Sequence, residues 1–264
     1  LERLRSLSLT APKDLGWDHF VHCFGPSFPS LHLRMPRSGS AHLQQLAETS
    51  PHLETLELLT TSDARVTDAE VSHLIQRSGL TLKEFAISHI TATEAAGPST
   101  PTHARSLISL ATCCQQLEEL YFGPDLLLSI EDVAALSGPS CPRLRLLSMQ
   151  GADMLNSLGQ RASHEQNEQN LTNLIKSHAS TLQEIDISGA LFWASDLFLN
   201  MCAQLTRLQR VVVELSTNVS FASIEALHIA HPHLVPDFCR PGLARLELDR
   251  KGSSICTICV VREE

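Results

Sequence analysis

The sequence is short of aromatic residues, glycine and clustered positive charge, and each shortage excludes something. Only 5% of the 264 residues are aromatic, with a single tyrosine, Tyr121. The core is therefore not built around the large rings that line many enzyme pockets. Twelve glycines leave little material for phosphate-cradling loops, and neither a Gly-x-Ser-x-Gly elbow nor a His-Glu-x-x-His pair occurs. Lysine and arginine number 20 against 29 acidic residues, giving a net charge of −9. They are scattered, with only Arg250 and Lys251 adjacent, so no basic stripe is available to neutralise phosphates, and neither nucleic acid nor an anionic membrane is an expected partner. No apolar run approaches the ~18 residues needed to cross a bilayer. The chain opens on Leu1 with no charged-then-apolar leader, so no signal peptide is expected and the start reads as the middle of something longer. The eight cysteines are scattered. Cys113 and Cys114 are adjacent, and only Cys256 and Cys259 have ligand-like spacing, so a reducing compartment, cytoplasmic or nuclear, is expected.

Leucine is what the chain has instead, 43 of them. Many fall in one frame, an apolar residue followed at +3 and +5 by two more. The frame recurs nine times, as Leu4-Leu7-Leu9, Phe28-Leu31-Leu33, Leu53-Leu56-Leu58, Leu82-Phe85-Ile87, Leu117-Leu120-Phe122, Leu144-Leu147-Met149, Leu182-Ile185-Ile187, Leu208-Val211-Val213 and Leu243-Leu246-Leu248. Its mean interval is about 30 residues, near the upper end of leucine-rich repeat periods. The last two frame positions alternate like a short strand. Ten and seven residues upstream stand Leu43 and Leu46, Leu107 and Leu110, Phe198 and Met201, with Ile75 and Ile175 in the nearer slot of two more units. An i, i+3 apolar pair is one face of a helix. Thr67-Asp68-Ala69-Glu70 reads as a capping box and Ser129-Ile130-Glu131-Asp132 as a weaker one. Ser50-Pro51-His52 and Cys141-Pro142-Arg143 stop the helix before the strand.

Such a unit cannot shield its own leucines, but stacked in parallel its copies bury one continuous ladder. The expected fold is thus α/β, a leucine-rich repeat horseshoe of about nine repeats over residues 1–248, with 249–264 as a terminal cap strand or tail. Its parallel sheet lines the concave side, roughly 40 Å along the arc, and its helices take the convex side.

The runs Val66-Thr67-Asp68-Ala69-Glu70-Val71, Leu74-Ile75 and Leu82-Lys83-Glu84-Phe85-Ala86-Ile87 resemble the repeat of the ribonuclease-inhibitor-like leucine-rich proteins. Cys141-Pro142-Arg143-Leu144-Arg145-Leu146-Leu147-Ser148-Met149 is similar to the cysteine-containing variant of F-box proteins, and the ragged repeat lengths resemble fungal members of that group. Gly151-Ala152 and Gly189-Ala190 replace the Asn or Cys usual after the strand. The resemblance implies a substrate-recognition horseshoe of an SCF ubiquitin ligase, joined to its F-box adaptor and cullin through an F-box upstream of Leu1. The residues by themselves imply a binding scaffold, and a sensor or interaction module unrelated to ubiquitin is the alternative.

The concave positions carry the expected protein contacts. Arg5, His32 and Arg34 make one end mildly basic, and Asp186, Glu214 and Glu247 make the other acidic, a gradient suited to a partner of mixed charge or to plain solvation. Glu57, Lys83, Arg145, Gln150 and Arg210 complete the set with Tyr121. Tyr121 is either a binding anchor or a ring packed on the neighbouring strand. Residues 88–106 and 159–170 lack periodicity and read as loops leaving the ladder. His228, His231 and His233 near Cys239 suggest a metal, but aligning Leu234 on Leu53 places His231-Pro232-His233 in the ordinary turn. Cys256-Thr257-Ile258-Cys259 has the spacing of half a zinc site, yet Ile255 to Val261 also suits a terminal strand over the end of the ladder. No catalytic residue, cofactor or metal is expected, and the chain is read as a monomeric non-enzyme.

Overall fold

The computed structural model describes residues 7–10, 30–35, 41–60, 67–88, 104–123, 126–137, 141–150, 153–155, 163–188, 195–214, 219–237 and 245–249. They form an α/β fold of seven helices and twelve strands. The helices are α1 (Ala41–Thr49), α2 (Asp68–Ser78), α3 (Ala104–Cys113), α4 (Ile130–Leu136), α5 (His164–Ser177), α6 (Asp196–Cys202) and α7 (Phe221–Ala230). The strands are β1 (Leu7–Thr10), β2 (Ser30–Met35), β3 (Thr55–Thr60), β4 (Glu84–Ile87), β5 (Glu119–Phe122), β6 (Leu127–Ser129), β7 (Leu146–Ser148), β8 (Asp153–Leu155), β9 (Glu184–Asp186), β10 (Arg210–Glu214), β11 (Val235–Asp237) and β12 (Arg245–Asp249).

Eight strands, β1-β2-β3-β4-β5-β7-β9-β10, lie side by side and all run parallel. Their register is that of the leucine frame. Leu7, Leu31, Leu56, Phe85, Leu120, Leu147, Ile185 and Val211 stand opposite one another in a single line across the sheet. From Leu53 to Val213 every frame residue is at most 2% exposed. Each helix packs on the one before it and the one after it. The expected helix stripe faces inward, because Leu43, Leu46, Ile75, Leu107, Leu110, Ile175, Phe198 and Met201 join the frame residues in one core. One layer of helices therefore covers one face of the sheet.

Two rows of cross-links hold consecutive helices in place. At the N-terminal ends, a carboxylate of one helix accepts hydrogen bonds from the start of the next. Buried Asp68 accepts from Ser106 N at 3.0 Å and Ser106 Oγ at 2.6 Å, Glu168 accepts from Ser195 Oγ, and Asp196 accepts from Ser220 N at 2.7 Å. An anion suits the exposed N–H groups of a helix start, and the Ser220 N–H holds the Asp196 carboxyl below its ordinary range. At the opposite ends, the helix end or the turn that follows buries a serine, cysteine or histidine, namely Ser50, Ser78, Cys114, Cys141, His178, Cys202 and His231, and four of them reach back to a carbonyl of the unit before. Ser78 Oγ donates to Ser50 O at 3.2 Å and Cys141 Sγ to Leu110 O at 3.7 Å. His178 Nε2 lies 2.9 Å from Leu136 O, and His231 Nε2 lies 3.0 Å from Cys202 O. Carbonyls only accept, so both imidazoles carry their proton on Nε2.

The structure departs from the sequence expectations in three places. First, of the ninth frame, Leu243-Leu246-Leu248, the described residues Leu246 and Leu248 lie in β12, which runs antiparallel between β10 and β11. The reason is chain length. Only seven residues join β11 to β12, too few for the crossover that a parallel strand requires, so the chain turns back as a hairpin. Second, α5 begins at His164 inside the stretch read as a loop. Ser163 and Gln166 close a capping box there, with Ser163 N donating to Gln166 Oε1 at 3.2 Å and Gln166 N to Ser163 Oγ at 3.3 Å. A polar helix face looks unpatterned in sequence, but Asn167 and Glu168 are buried. Third, β6 and β8 pair in parallel as a second, two-stranded sheet. Each starts five residues past the end of β5 or β7, and Leu126 and Leu128 are buried beside them. Helix α3 takes up the end of the other expected loop from Ala104. Residues 89–103, 156–162 and 250–264, including Cys256 and Cys259, lie outside the described residues.

Candidate functional site

Strand alternation turns two residues per strand away from the helices. Numbered from the first frame residue, +3 and +5 are buried, so +2 and +4 form the other face. The +2 row holds Thr55, Glu84, Glu119, Leu146, Glu184 and Arg210, all partly exposed, and the +4 row holds Glu57, Ala86, Tyr121, Ser148, Asp186 and Val212. Val212 is completely buried, which closes the face at β10. Between β3 and β7 the face sinks into a depression of about 410 Å³, lined among others by Glu57, Glu84, Glu119, Tyr121, Ser148 and Gln150. Gly123, also in its lining, lets two adjacent strand ends approach closely. A side chain there would meet the Ser88 backbone at 2.9 Å.

Tyr121 stands at its centre. The phenol donates to Glu119 Oε2 at 2.6 Å. Burial, and next the bond to Glu119, raise its pKa far above the ordinary value, so it stays a proton donor. Ala86 is its cross-strand neighbour on β4 and Ser148 on β7. Glu84 and Glu119 face each other directly across β4 and β5. Glu84 Oε2 accepts from Thr55 Oγ1 at 3.2 Å. Asp186 accepts from Ser188 N at 3.0 Å and Ser188 Oγ at 2.6 Å, with Arg210 Nη1 3.9 Å away.

The structure brings some of the expected contact residues together and separates others. Glu57, Tyr121 and Gln150 line the one depression, and Asp186 and Arg210 form a pair beyond it. Lys83 and Arg145 sit one position before their strands, on a rim. Lys83 Nζ is 2.7 Å from Glu54 Oε2, and Arg145 reaches Glu118 at 3.3 Å and Gln183 at 3.1 Å. The Glu54 contact raises the Lys83 amine above its ordinary value. His32 and Arg34 lie on β2, in register with Glu57 and Leu59. Glu214 and Glu247 lie on β10 and β12, opposite Arg245 and Val212. For these four the described structure is backbone only, and Arg5 lies outside the described residues. The sequence reading missed Glu84, Glu119 and Glu184. Their signal was available, since alternation places them two residues before Ala86, Tyr121 and Asp186 on the same face.

Among the described residues, several other chemically suggestive groups are engaged in the fold. Burial pushes the Cys141 thiol up to about 12 and those of Cys114 and Cys202 higher, so none of the three is a ready thiolate. His231 and His233 stack edge to face with centroids 5.7 Å apart, and His233 Nε2 is 2.8 Å from Leu208 O. Among the described residues no three His, Cys, Asp or Glu side chains are grouped to hold a metal ion, and no helix is long and apolar enough to cross a membrane. The sheet face away from the helices offers carboxylate acceptors, one phenol donor and a partly apolar floor. No protein-family model matches the chain, and no curated protein matches it.

Proposed function

We propose that the chain is a leucine-rich repeat solenoid of the ribonuclease-inhibitor-like type, a scaffold that holds a protein partner on the open, concave side of its sheet. One observation carries this reading. A single line of frame residues runs in register through eight parallel strands with all helices on one side, while the other side presents Tyr121 in a depression of about 410 Å³. Stacked units of this kind bury one shared ladder and leave an extended surface free for binding. In its more particular form the scaffold selects substrates for an F-box-type ubiquitin ligase, with the F-box outside residues 1–264. The buried Cys141, in the run that resembles the cysteine-containing repeat, favours this form.

The test separates the two faces. A partner found by affinity capture is re-tested against Tyr121→Ala with Gln150→Ala, and against Glu48→Ala with Glu165→Ala on exposed helix positions. Binding is expected to be lost only in the first pair. A partner that ignores the first pair refutes the sheet-face scaffold. Co-purification of the F-box adaptor with a chain extended upstream of Leu1 decides the ligase form, and failure to do so leaves the general scaffold.

A further inference from the structure

We infer that the depression around Tyr121 receives an extended segment of a partner protein that carries lysine or arginine side chains. This rests on the scaffold reading above and names the chemistry of what the scaffold holds. The described +2 and +4 rows contain five carboxylates, Glu57, Glu84, Glu119, Glu184 and Asp186, against one cation, Arg210, at the far end beside Asp186. Lys83 and Arg145 are close in sequence but are engaged on the rim by Glu54 and Glu118. Like charges directly opposite on neighbouring strands destabilise a sheet, and Glu84 and Glu119 are so placed. The fold tolerates this repulsion with two hydroxyl donors, Thr55 and Tyr121, and no described cation of the two rows lies between them.

A partner's ammonium or guanidinium supplies the missing charge. It also finds the Tyr121 ring, whose face attracts cations. Ala86 and half-buried Leu146 give apolar contact beside it. From β4 to β9 the face spans three strand spacings, about 14 Å, which about four residues of extended chain cover. Two basic residues four apart therefore reach both the Glu84–Glu119 pair and Glu184. The missed +2 row adds acid to the middle of the sheet, beside the acidic end expected from sequence.

The probes are three fluorescent eight-residue peptides in a common alanine and leucine background, with lysine, glutamine or glutamate at two positions four apart. Anisotropy titrations compare the unaltered chain, Glu84→Gln/Glu119→Gln/Glu184→Gln on the face, and Glu48→Gln/Glu165→Gln/Glu225→Gln on exposed helix positions. The lysine peptide is expected to bind about tenfold tighter than the glutamine peptide. That preference should vanish in the face variant and survive in the helix variant, which has lost the same net charge. Equal loss in both variants, or a lysine peptide no tighter than the glutamine one, overturns the inference. If instead the glutamine peptide binds and Tyr121→Ala abolishes it, the charge assignment falls while the scaffold stands. If Tyr121→Ala and the face variant leave every peptide's behaviour unchanged, both fall.

Discussion

Two rows of side chains cross the molecule a few residues apart in every unit, and they are built on opposite principles. The row at the helix-to-strand turn, Ser78, Cys141, His178 and His231, is buried, and each side chain itself reaches a carbonyl of the unit before. The rim row, Glu54, Lys83, Glu118, Arg145 and Gln183, is linked by its backbone. Each of these carbonyls accepts two N–H groups from the next unit, as Glu54 O does from Lys83 N at 2.7 Å and Glu84 N at 3.0 Å. The salt bridges of the rim are added to a ladder that already holds. A buried carbonyl left without a donor costs the full desolvation of that group, whereas exposed ion pairs are worth little. The turn row should therefore accept only small donors, and the rim should accept almost anything polar.

The largest effect is expected where the turn row is cut. His178→Ala removes a buried ring and strands the Leu136 carbonyl, and should lower the unfolding free energy by about 2–4 kcal/mol in urea titrations. Ser78→Ala removes one neutral hydroxyl and should cost about 1 kcal/mol. A loss no larger for His178→Ala than for a rim substitution would erase the distinction between the rows.

Acid gives a gentler cut through the same row. Burial lowers the affinity of His178 and His231 for protons below their ordinary value of 6.5. The unfolded chain therefore takes up a proton first, at about 6.5. The stability that neutral imidazoles contribute is fully present above that pH and is lost as pH falls below it, towards the folded-state values. Thermal midpoints measured from pH 8 to pH 5 should fall on the acid side of 6.5. The fall should be shallower in His178→Gln, whose amide N–H donates without titrating. A flat profile would show that these rings take up protons in the fold as readily as in the unfolded chain.

How much of this could be read from the chain depends on the same contrast of burial and exposure. The frame from Leu53 to Val213 was legible because burial demands apolar side chains at fixed spacing, and the helix stripe for the same reason. His231-Pro232-His233 could be placed in a turn by alignment on Ser50-Pro51-His52, yet no pattern said that His231 would donate to Cys202 O. Serine, cysteine and histidine share little as residue types, so their common role is visible only when the carbonyl is. The first turns of helix α5 were read as loop because its outward face is glutamine and asparagine, which carry no hydrophobic period. The turn-back of β12 was decided by a seven-residue connection rather than by its leucines. On the open face, attention to the residue between the frame positions found Tyr121, Glu57 and Asp186. It passed over Glu84, Glu119 and Glu184, which alternation assigns to the same surface with equal force.

The smallest effect should come from the rim, and it is the sharpest test of the contrast because it predicts almost nothing. Glu118 and Arg145 are 3.3 Å apart, with side chains 32% and 54% exposed. A double-mutant cycle of Glu118→Gln and Arg145→Gln should return a coupling below about 0.5 kcal/mol at low salt, and less as salt rises. The backbone bonds from Arg145 N and Leu146 N to Glu118 O are untouched by either change, so the ladder keeps its register. A coupling of about 2 kcal/mol or more would mean that the rim charges are shielded from water as the turn row is. The geometry argues otherwise. The Arg145 guanidinium also contacts Gln183 at 3.1 Å, so removing one partner leaves it another and leaves neither charge buried. What the rim charges can change is the field that an approaching partner meets beside the acidic face, which acts on association more than on stability.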